Sequence, residues 1–274
     1  MVFRMKNLRN NGIEKDLQRA LRDGNNVWVI GDIHGYYQSF VSLVDRLGLS
    51  ENDKVVLLGD LIDRGPNSFG VIHTVRNNPN FVSVKGNHEA MMAENFSLEQ
   101  LNNPDIDMMV WMNNGGTTTI RSYLDASKNN VGVLEGTTLE KYLQDDIEWI
   151  EDLPVHIVLD DWRLVHAGYD PELPLDEQTE EEYLWIRREF HQTQIPVDEK
   201  RTVVFGHTPT VSLPGHSEIS WGHVWRSEVC LADGRPSAIG IDTCLYHGKH
   251  GMPAVLTAFN LQDERVIQQN RVEP

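Results

Sequence analysis

Cysteine, long apolar runs and positive charge are all scarce in this chain of 274 residues. The two cysteines, Cys230 and Cys244, provide no disulfide framework. They fit a reducing compartment, where they serve as small, mostly buried side chains. No apolar stretch approaches the length that spans a bilayer. The opening MVFRMKNLRNNG lacks the apolar core of a secretory signal, so a cytoplasmic location is expected. Positive charge falls short too: 24 Lys and Arg against 41 Asp and Glu give a net charge of −17. Such a surface repels nucleic acid and anionic membranes, and neither is expected as a partner. An anionic substrate would need a local positive focus, from metal ions or clustered arginines. The acidic run over 176–182 reads as a solvated loop and helix start. Internal repeats, low-complexity segments and a clear interdomain linker are also missing, and the oligomeric state is not legible.

What is present is an ordinary globular balance, 40% hydrophobic and 24% charged. The spacing predicts a helix over 13–22, stopped by Asp23-Gly24-Asn25-Asn26. Val27–Ile30 is a continuous apolar run, as expected of a strand buried on both faces. A helix over 37–47, a strand over 55–58, a helix over 67–75 and a strand over 81–84 follow. That alternation predicts a βαβαβ unit with parallel strands. Residues 90–150 read as helical, broken at Gly115-Gly116 and Val131-Gly132, with Met91, Met92, Met108, Met109 and Met112 as adaptable core. Runs over 155–159 and 163–165, joined at Asp160-Asp161, read as a hairpin. A helix over 181–190, a strand over 202–205 and β-like runs over 238–242, 254–260 and 264–268 complete the chain. The simplest organisation is one α/β domain over 1–274. It carries an N-terminal helical extension over about 1–26 and insertions over about 90–150 and 211–237.

Apolar runs end repeatedly in short polar clusters bracketed by glycine: Gly31-Asp32-Ile33-His34-Gly35, Gly59-Asp60-Leu61-Ile62-Asp63-Arg64-Gly65, Gly86-Asn87-His88-Glu89, His166-Ala167-Gly168 and Gly206-His207-Thr208. Any one of them reads as an ordinary turn. Together they place ligand-type side chains at strand ends, where open α/β sheets build their sites. Asp32, His34, Asp60, Asn87, His166 and His207 are the candidate ligands, with Asp63, His88 and Arg64 beside them. Carboxylate, imidazole and amide oxygen together suit Mn, Fe or Zn rather than Ca or a thiolate site.

These motifs resemble the phosphoprotein phosphatase family of the metallophosphoesterase superfamily. Its pattern runs GDxHG, GDxxDRG, GNHE and two later histidines, matched here over roughly 27–245 in a form similar to the bacterial and phage branch. The resemblance implies an α/β (α+β) fold of two packed β-sheets flanked by helices, with a dinuclear metal site at the sheet edge. It implies two divalent cations, manganese first, with iron or zinc as alternatives. Asp32 and His34 would hold the first, Asp60 would bridge, and Asn87, His166 and His207 would complete the second. A metal-bridging hydroxide would attack phosphorus in line, without a phospho-enzyme intermediate. His88 would be the general acid, oriented and charged by Asp63. Arg64 and Asn87 would bind phosphate, joined by an arginine of the family's WSR pattern. Here that stretch is Trp185-Ile186-Arg187-Arg188, and Arg187 is preferred over Arg188. Glu89 would be supporting or structural. The family's IDTG is Ile241-Asp242-Thr243-Cys244 here, which leaves that turn open, and the polar stretch Tyr246–Gly251 could touch substrate. His73, His156, His191, His216 and His223 are read as structural or surface.

The activity this resemblance implies is hydrolysis of phosphoserine or phosphothreonine, with phosphotyrosine possible, in a protein or peptide partner. The alternative is a symmetrical diadenosine-tetraphosphate hydrolase. Its second motif usually resembles GDLVARG and its third GNHD, whereas this chain has Asp63 and Glu89 at the distinguishing positions. A non-catalytic scaffold is a minor alternative, because pseudo-enzymes lose a ligand or the acid and none is missing here.

Overall fold

The computed structural model describes residues 8–97, 100, 103–128, 139–247 and 251–274. Helix α1 (Asn11–Arg22) starts where the Asn10 side chain accepts from the N–H groups of Gly12 and Ile13, a cap for otherwise unpaired donors. Strand β1 (Val27–Ile30), helix α2 (Tyr37–Leu47), β2 (Lys54–Leu57), α3 (Ser68–Asn77) and β3 (Phe81–Ser83) form the βαβαβ unit. Its strands pair in parallel, Val29 opposite Val56 and Val56 opposite Val82. Helices α4 (Asn87–Asn95), α5 (Ile106–Trp111), a π turn over Met112–Gly116, α6 (Thr117–Lys128) and α7 (Leu139–Glu151) come next. The break at Gly115 is real, with φ of +118°. The one expected at Val131-Gly132 lies outside the described residues.

The second half opens with the hairpin β4 (His156–Val158) and β5 (Trp162–Val165), antiparallel as expected. Helices α8 (Glu180–Trp185) and α9 (Arg188–His191) follow, then β6 (Thr202–Phe205), β7 (Trp225–Arg226), β8 (Ala238–Gly240), β9 (Val255–Asn260) and β10 (Val266–Asn270). The strands make two sheets, ordered β10-β9-β1-β2-β3 and β4-β5-β6-β8-β7. Strand side chains alternate between faces, so each sheet has two faces to cover. Val27, Val29 and Val56 of the first sheet meet Ile157, Leu164, Val204 and Ile239 of the second in one apolar cluster, which Leu17 and Ala20 of α1 join. On the outer face of the first sheet, Trp28, Ile30, Val55 and Leu57 pack with Phe40, Leu43 and Ile72 of α2 and α3. This is the implied architecture of two packed sheets flanked by helices.

One expected element differs. The helix predicted over 181–190 is two short helices, broken at Ile186 (ψ 145°) and Arg187 (φ −134°, ψ −92°). The break turns Arg187 toward the ends of the strands, where its guanidinium bonds the His207 carbonyl and Thr208 hydroxyl. Periodicity carries no trace of such a break. Leu58 and Val84 also fall beyond their strands, because the inter-sheet cluster buries apolar residues past the last paired position.

His156 and His191 are buried, and His191 stacks on Phe205. Burial, aided by the charge of Arg187, holds the His191 imidazole down to about 4. A histidine kept neutral in the fold but basic when unfolded stabilises the protein above about pH 6.5, and that stability is lost as pH falls toward 4. Urea unfolding at pH 7 and pH 5 should show His191→Phe losing about 2 kcal/mol less on acidification than the unmodified chain. His191 Nε2 has no hydrogen-bond partner among the described residues, so Phe removes no bond there.

Candidate metal centre and acid site

All of the polar motifs lie beyond the carboxyl ends of parallel strands: β1, β2 and β3 in one sheet, β5, β6 and β8 in the other. The packed sheets bring these ends together, so residues far apart in sequence share one site. The approach is close enough to explain the glycines. A Cβ on Gly59 would sit 2.4 Å from the Gly86 nitrogen, and one on Gly86 would sit 2.3 Å from the Asp60 nitrogen. Two loops cross backbone to backbone here, and Gly59 also takes φ of +86°.

The loops are strained. His34, Asp60, Asp63, Arg64 and His207 all have φ between +49° and +71°. Each costs of order 1–3 kcal/mol and persists only where the surroundings hold it. Glu89 is one of the holders. Its fully buried carboxylate accepts from the backbone N–H groups of Asp60, Leu61, Ile62 and Gly86 at 2.7, 2.8, 3.3 and 2.9 Å. Burial and the Asp60 charge push its carboxyl up to about 7.

Among the described residues, two compact groups of potential ligand atoms occur, His34–Asp60–His88 and Asp60–His166–His207, all buried. Asp60 belongs to both, and its two oxygens face opposite ways. Oδ2 lies 3.6 Å from His34 Nε2, and Oδ1 lies 3.4 Å from His166 Nε2. Burial would raise the Asp60 carboxyl, but the pull of the imidazoles of His166, His88, His34 and His207, where they carry protons, overcomes it and holds it far below the usual range.

The hydrogen bonding fits cations. His34 Nδ1 and His166 Nδ1 donate to the carbonyls of Ile62 and Leu58, which leaves each Nε2 as a bare lone pair aimed inward. His166 Nε2 then faces Asn87 Oδ1 at 2.8 Å, with His207 Nδ1 3.0 Å from the same oxygen. His207 Nε2 is buried without a partner, so whichever nitrogen carries its proton, one acceptor is left unspent. One His207 proton can bridge some of these acceptors but not all of them, and a positive charge between them would satisfy the rest. On the other side the Arg64 guanidinium stands in for one, meeting His34 Nε2 at 2.6 Å. Burial lowers all three ligand-type imidazoles, His34, His166 and His207, which keeps them neutral and able to coordinate.

Asp32 lies beside the two compact groups rather than within them. Its carboxylate accepts the His207 N–H at 3.1 Å. Burial and the charges of Asp242 and Asp60 raise it well above the carboxylate range. Asp242 is a further buried carboxyl, pushed up to about 6 mainly by burial. Sequence reasoning placed it only in a turn. Cys244, where the family has glycine, takes φ of +72° itself, so that turn survives the replacement. Tyr246 packs against the site, with the Arg64 guanidinium 4.5 Å over its ring. Gly248, Lys249 and His250 lie outside the described residues.

His88 stands apart in character. Its Nδ1 pairs with Asp63 Oδ2 at 2.6 Å. Burial lowers its basicity, but the Asp60 charge and the hydrogen bond and charge of Asp63 outweigh it, and its pKa is raised. Asp63 is fully buried and also accepts from Trp111 Nε1 at 3.0 Å and Thr119 Oγ1 at 2.6 Å. Sequence reasoning missed both donors, since an isolated Trp or Thr in a helical stretch carries no signal of its partner. Both arginines are exposed, but Arg187 bonds the His207 loop, and no side-chain hydrogen bond ties Arg188 to the site among the described residues.

The profile of the calcineurin-like phosphoesterase family matches residues 26–223. The chain is 43% identical over 91 residues to serine/threonine-protein phosphatase 2 of Escherichia coli, a stretch of 33% of this chain and 38% of that protein. It is 30% identical over 151 residues to the asymmetrical bis(5'-nucleosyl)-tetraphosphatase of Anoxybacillus flavithermus, covering 51% of this chain and 56% of that one. The matches thus span between 38% and 56% of these relatives' length. In fold, it is similar to a metallophosphoesterase from Sphaerobacter thermophilus, with a TM-score of 0.56 at 19% identity over 91% of this chain and 89% of that one.

Proposed function

We propose that this chain, which belongs to the calcineurin-like phosphoesterase family, is a phosphomonoesterase acting on phosphoserine and phosphothreonine in a protein or peptide. The observation that carries the reading is the 2.6 Å pair of His88 and Asp63. A serine or threonine alkoxide is a poor leaving group and needs a proton as it departs. A nucleotide leaving from a polyphosphate departs as a stable phosphate anion and needs none. A buried imidazole made more basic by a carboxylate suits the first task. Phosphotyrosine, whose phenolate is an intermediate leaving group, falls within the same chemistry.

Asp32, His34, Asp60, Asn87, His166 and His207 would hold two divalent ions, with manganese as the first candidate. When bound, these supply an activated water and neutralise the phosphate oxygens. The protein's own groups do the rest. Arg64 and Arg187 bind phosphate oxygens with their guanidinium forks, and Asn87 adds an amide. His88 donates from Nε2 while Asp63 holds Nδ1. The charge of −17 makes this cluster of cation sites and arginines the positive focus for an anionic substrate.

Arg187→Ala should lower kcat/KM about 10- to 100-fold, the loss expected of a charge-assisted phosphate contact. Arg188→Ala should leave it within about threefold, because only Arg187 of the two exposed arginines bonds the His207 loop. Steady-state kinetics on one phosphopeptide compares the two.

A second reading is hydrolysis of a dinucleoside tetraphosphate, symmetrical cleavage being the form weighed from the motifs. The resemblance to the A. flavithermus enzyme supports hydrolysis of such a dinucleotide, though that enzyme is the asymmetrical kind. Metal-stripped protein, with and without manganese, should be offered a phosphoserine peptide and diadenosine tetraphosphate side by side. Manganese-dependent release from the peptide, lost in His88→Asn, is the expected result. Preferred cleavage of the dinucleotide would overturn the proposal.

A further inference from the structure

We infer that Trp111 and Thr119, from the helical insertion that follows the GNHE motif, are positioning residues that aim the acid His88 at the leaving group through Asp63. The inference rests on the reading of His88 as general acid.

Asp63 has more to hold than a carboxylate usually does. It sits at φ of +71°, and Arg64 after it at +68°, two successive left-handed residues that are not glycine. Its side chain must nonetheless present one oxygen to His88 Nδ1 in a fixed direction. Left to its own loop, Asp63 has little to do this with. Within that loop, Ser68 Oγ accepts its backbone N–H at 3.1 Å. The Gly65 N–H also bonds the Asp63 carbonyl at 2.7 Å, but both donors to the carboxylate other than His88 come from the insertion. Trp111 Nε1 donates to Oδ2, the same oxygen that meets His88. Thr119 Oγ1 donates to Oδ1 at 2.6 Å and accepts the Asp63 backbone N–H at 3.0 Å. Because the single Thr119 proton goes to the carboxylate, Ser68 donates to Thr119 across their 3.0 Å contact. The next backbone N–H, of Arg64, points at the Gly115 carbonyl at 3.4 Å. The carboxylate is therefore gripped at both oxygens and at its own backbone.

The grip is built to be rigid. Trp111 and Thr119 are fully buried. Gly116 lets the chain pass against the Trp111 ring, where a Cβ would come within 2.5 Å of it. Gly115 takes φ of +118° so that α5 and α6 can present their two donors to one side chain. The insertion is itself tied to α3: Ser122 Oγ accepts the Phe69 N–H at 2.8 Å, and Asp146 accepts from Arg76 at 2.6 Å and Tyr123 at 2.8 Å. Among the described residues neither donor hydrogen-bonds a candidate metal ligand, so their hydrogen bonds reach the reaction through Asp63 and His88.

A group that matters only for proton donation should matter in proportion to how badly the leaving group needs the proton. The test compares phenyl phosphate with p-nitrophenyl phosphate, which share a phosphoryl group and differ in the stability of the departing phenolate. Thr119→Val keeps shape and removes the hydroxyl, and Trp111→Phe keeps the ring and removes the N–H. Each manganese-loaded variant should lose about 10- to 100-fold in kcat on phenyl phosphate and about threefold or less on p-nitrophenyl phosphate. Thr119→Ser, which keeps the hydroxyl, should restore phenyl phosphate turnover to within about threefold. Equal losses on both substrates, or no loss on either, would overturn the inference. Where Thr119→Val does not fold by circular dichroism, Trp111→Phe reads the same ratio. His88→Asn is the control. If it shows the selective loss and the insertion variants do not, the inference alone falls. If His88→Asn loses equally on both substrates, the acid role falls and takes the inference with it.

Discussion

Asp60→Asn should reduce phosphoester turnover about 1,000-fold or more and leave less than one tightly held manganese per chain after dialysis. Asp60 is the residue that both ligand groups share, with one oxygen directed to each. Two cations held by these groups would repel one another, and the Asp60 carboxylate would screen that repulsion. An amide keeps the shape and the acceptor for the His88 N–H, seen here at 3.1 Å, but removes the charge. Metal activation supplies several kcal/mol of transition-state stabilisation, and each 1.4 kcal/mol is tenfold in rate. Metal analysis of the dialysed protein and steady-state kinetics read the two halves separately. Full metal content with full activity would show that Asp60 does not bridge. Loss of both with a near-native circular dichroism spectrum is the expected outcome. The fold should survive, because Glu89 rather than Asp60 holds the backbone of that loop.

His88→Asn comes next in size, with an expected loss of about 100- to 10,000-fold on a phosphoserine peptide, the range of a positioned general acid. Metal content should hold, since His34, Asp60, Asn87, His166 and His207 are untouched. That separates it from Asp60→Asn. His88 Nε2 lies 3.9 Å from Asp60 Oδ2 and also falls within a compact ligand group, so coordination is the competing role. A variant that loses a metal equivalent along with its activity would mark His88 as a ligand instead. The Asp63 partner argues for the acid, because the pair makes the imidazole more basic than usual, which favours carrying a proton over carrying a metal.

Much of this was readable from the residues. A βαβαβ unit follows from alternating apolar runs and helical spacing, and all three parallel strands formed within a residue of the runs expected over 27–30, 55–58 and 81–84. Ligand-type residues at strand ends declared themselves because glycine, carboxylate and imidazole recur there together. That Gly59 and Gly86 are needed for two loops to touch was not readable. Neither was the break at Ile186 and Arg187, since local propensity favours a continuous helix and a tertiary contact to His207 and Thr208 overrides it.

By itself, then, the order of residues determined which side chains gather: carboxylates, imidazoles and an amide at strand ends, the His88 and Asp63 pair, and Arg64 with Arg187 beside them. Tertiary structure decided how those groups divide the labour. Asp60 faces two ligand sets only because the carboxyl ends of both sheets meet. Asp63 is gripped by Trp111 and Thr119 only because α5 and α6 fold back over its loop. Hydrogen bonds and close approaches between residues tens of positions apart leave no periodic or compositional mark, because each partner alone has the ordinary chemistry of its type.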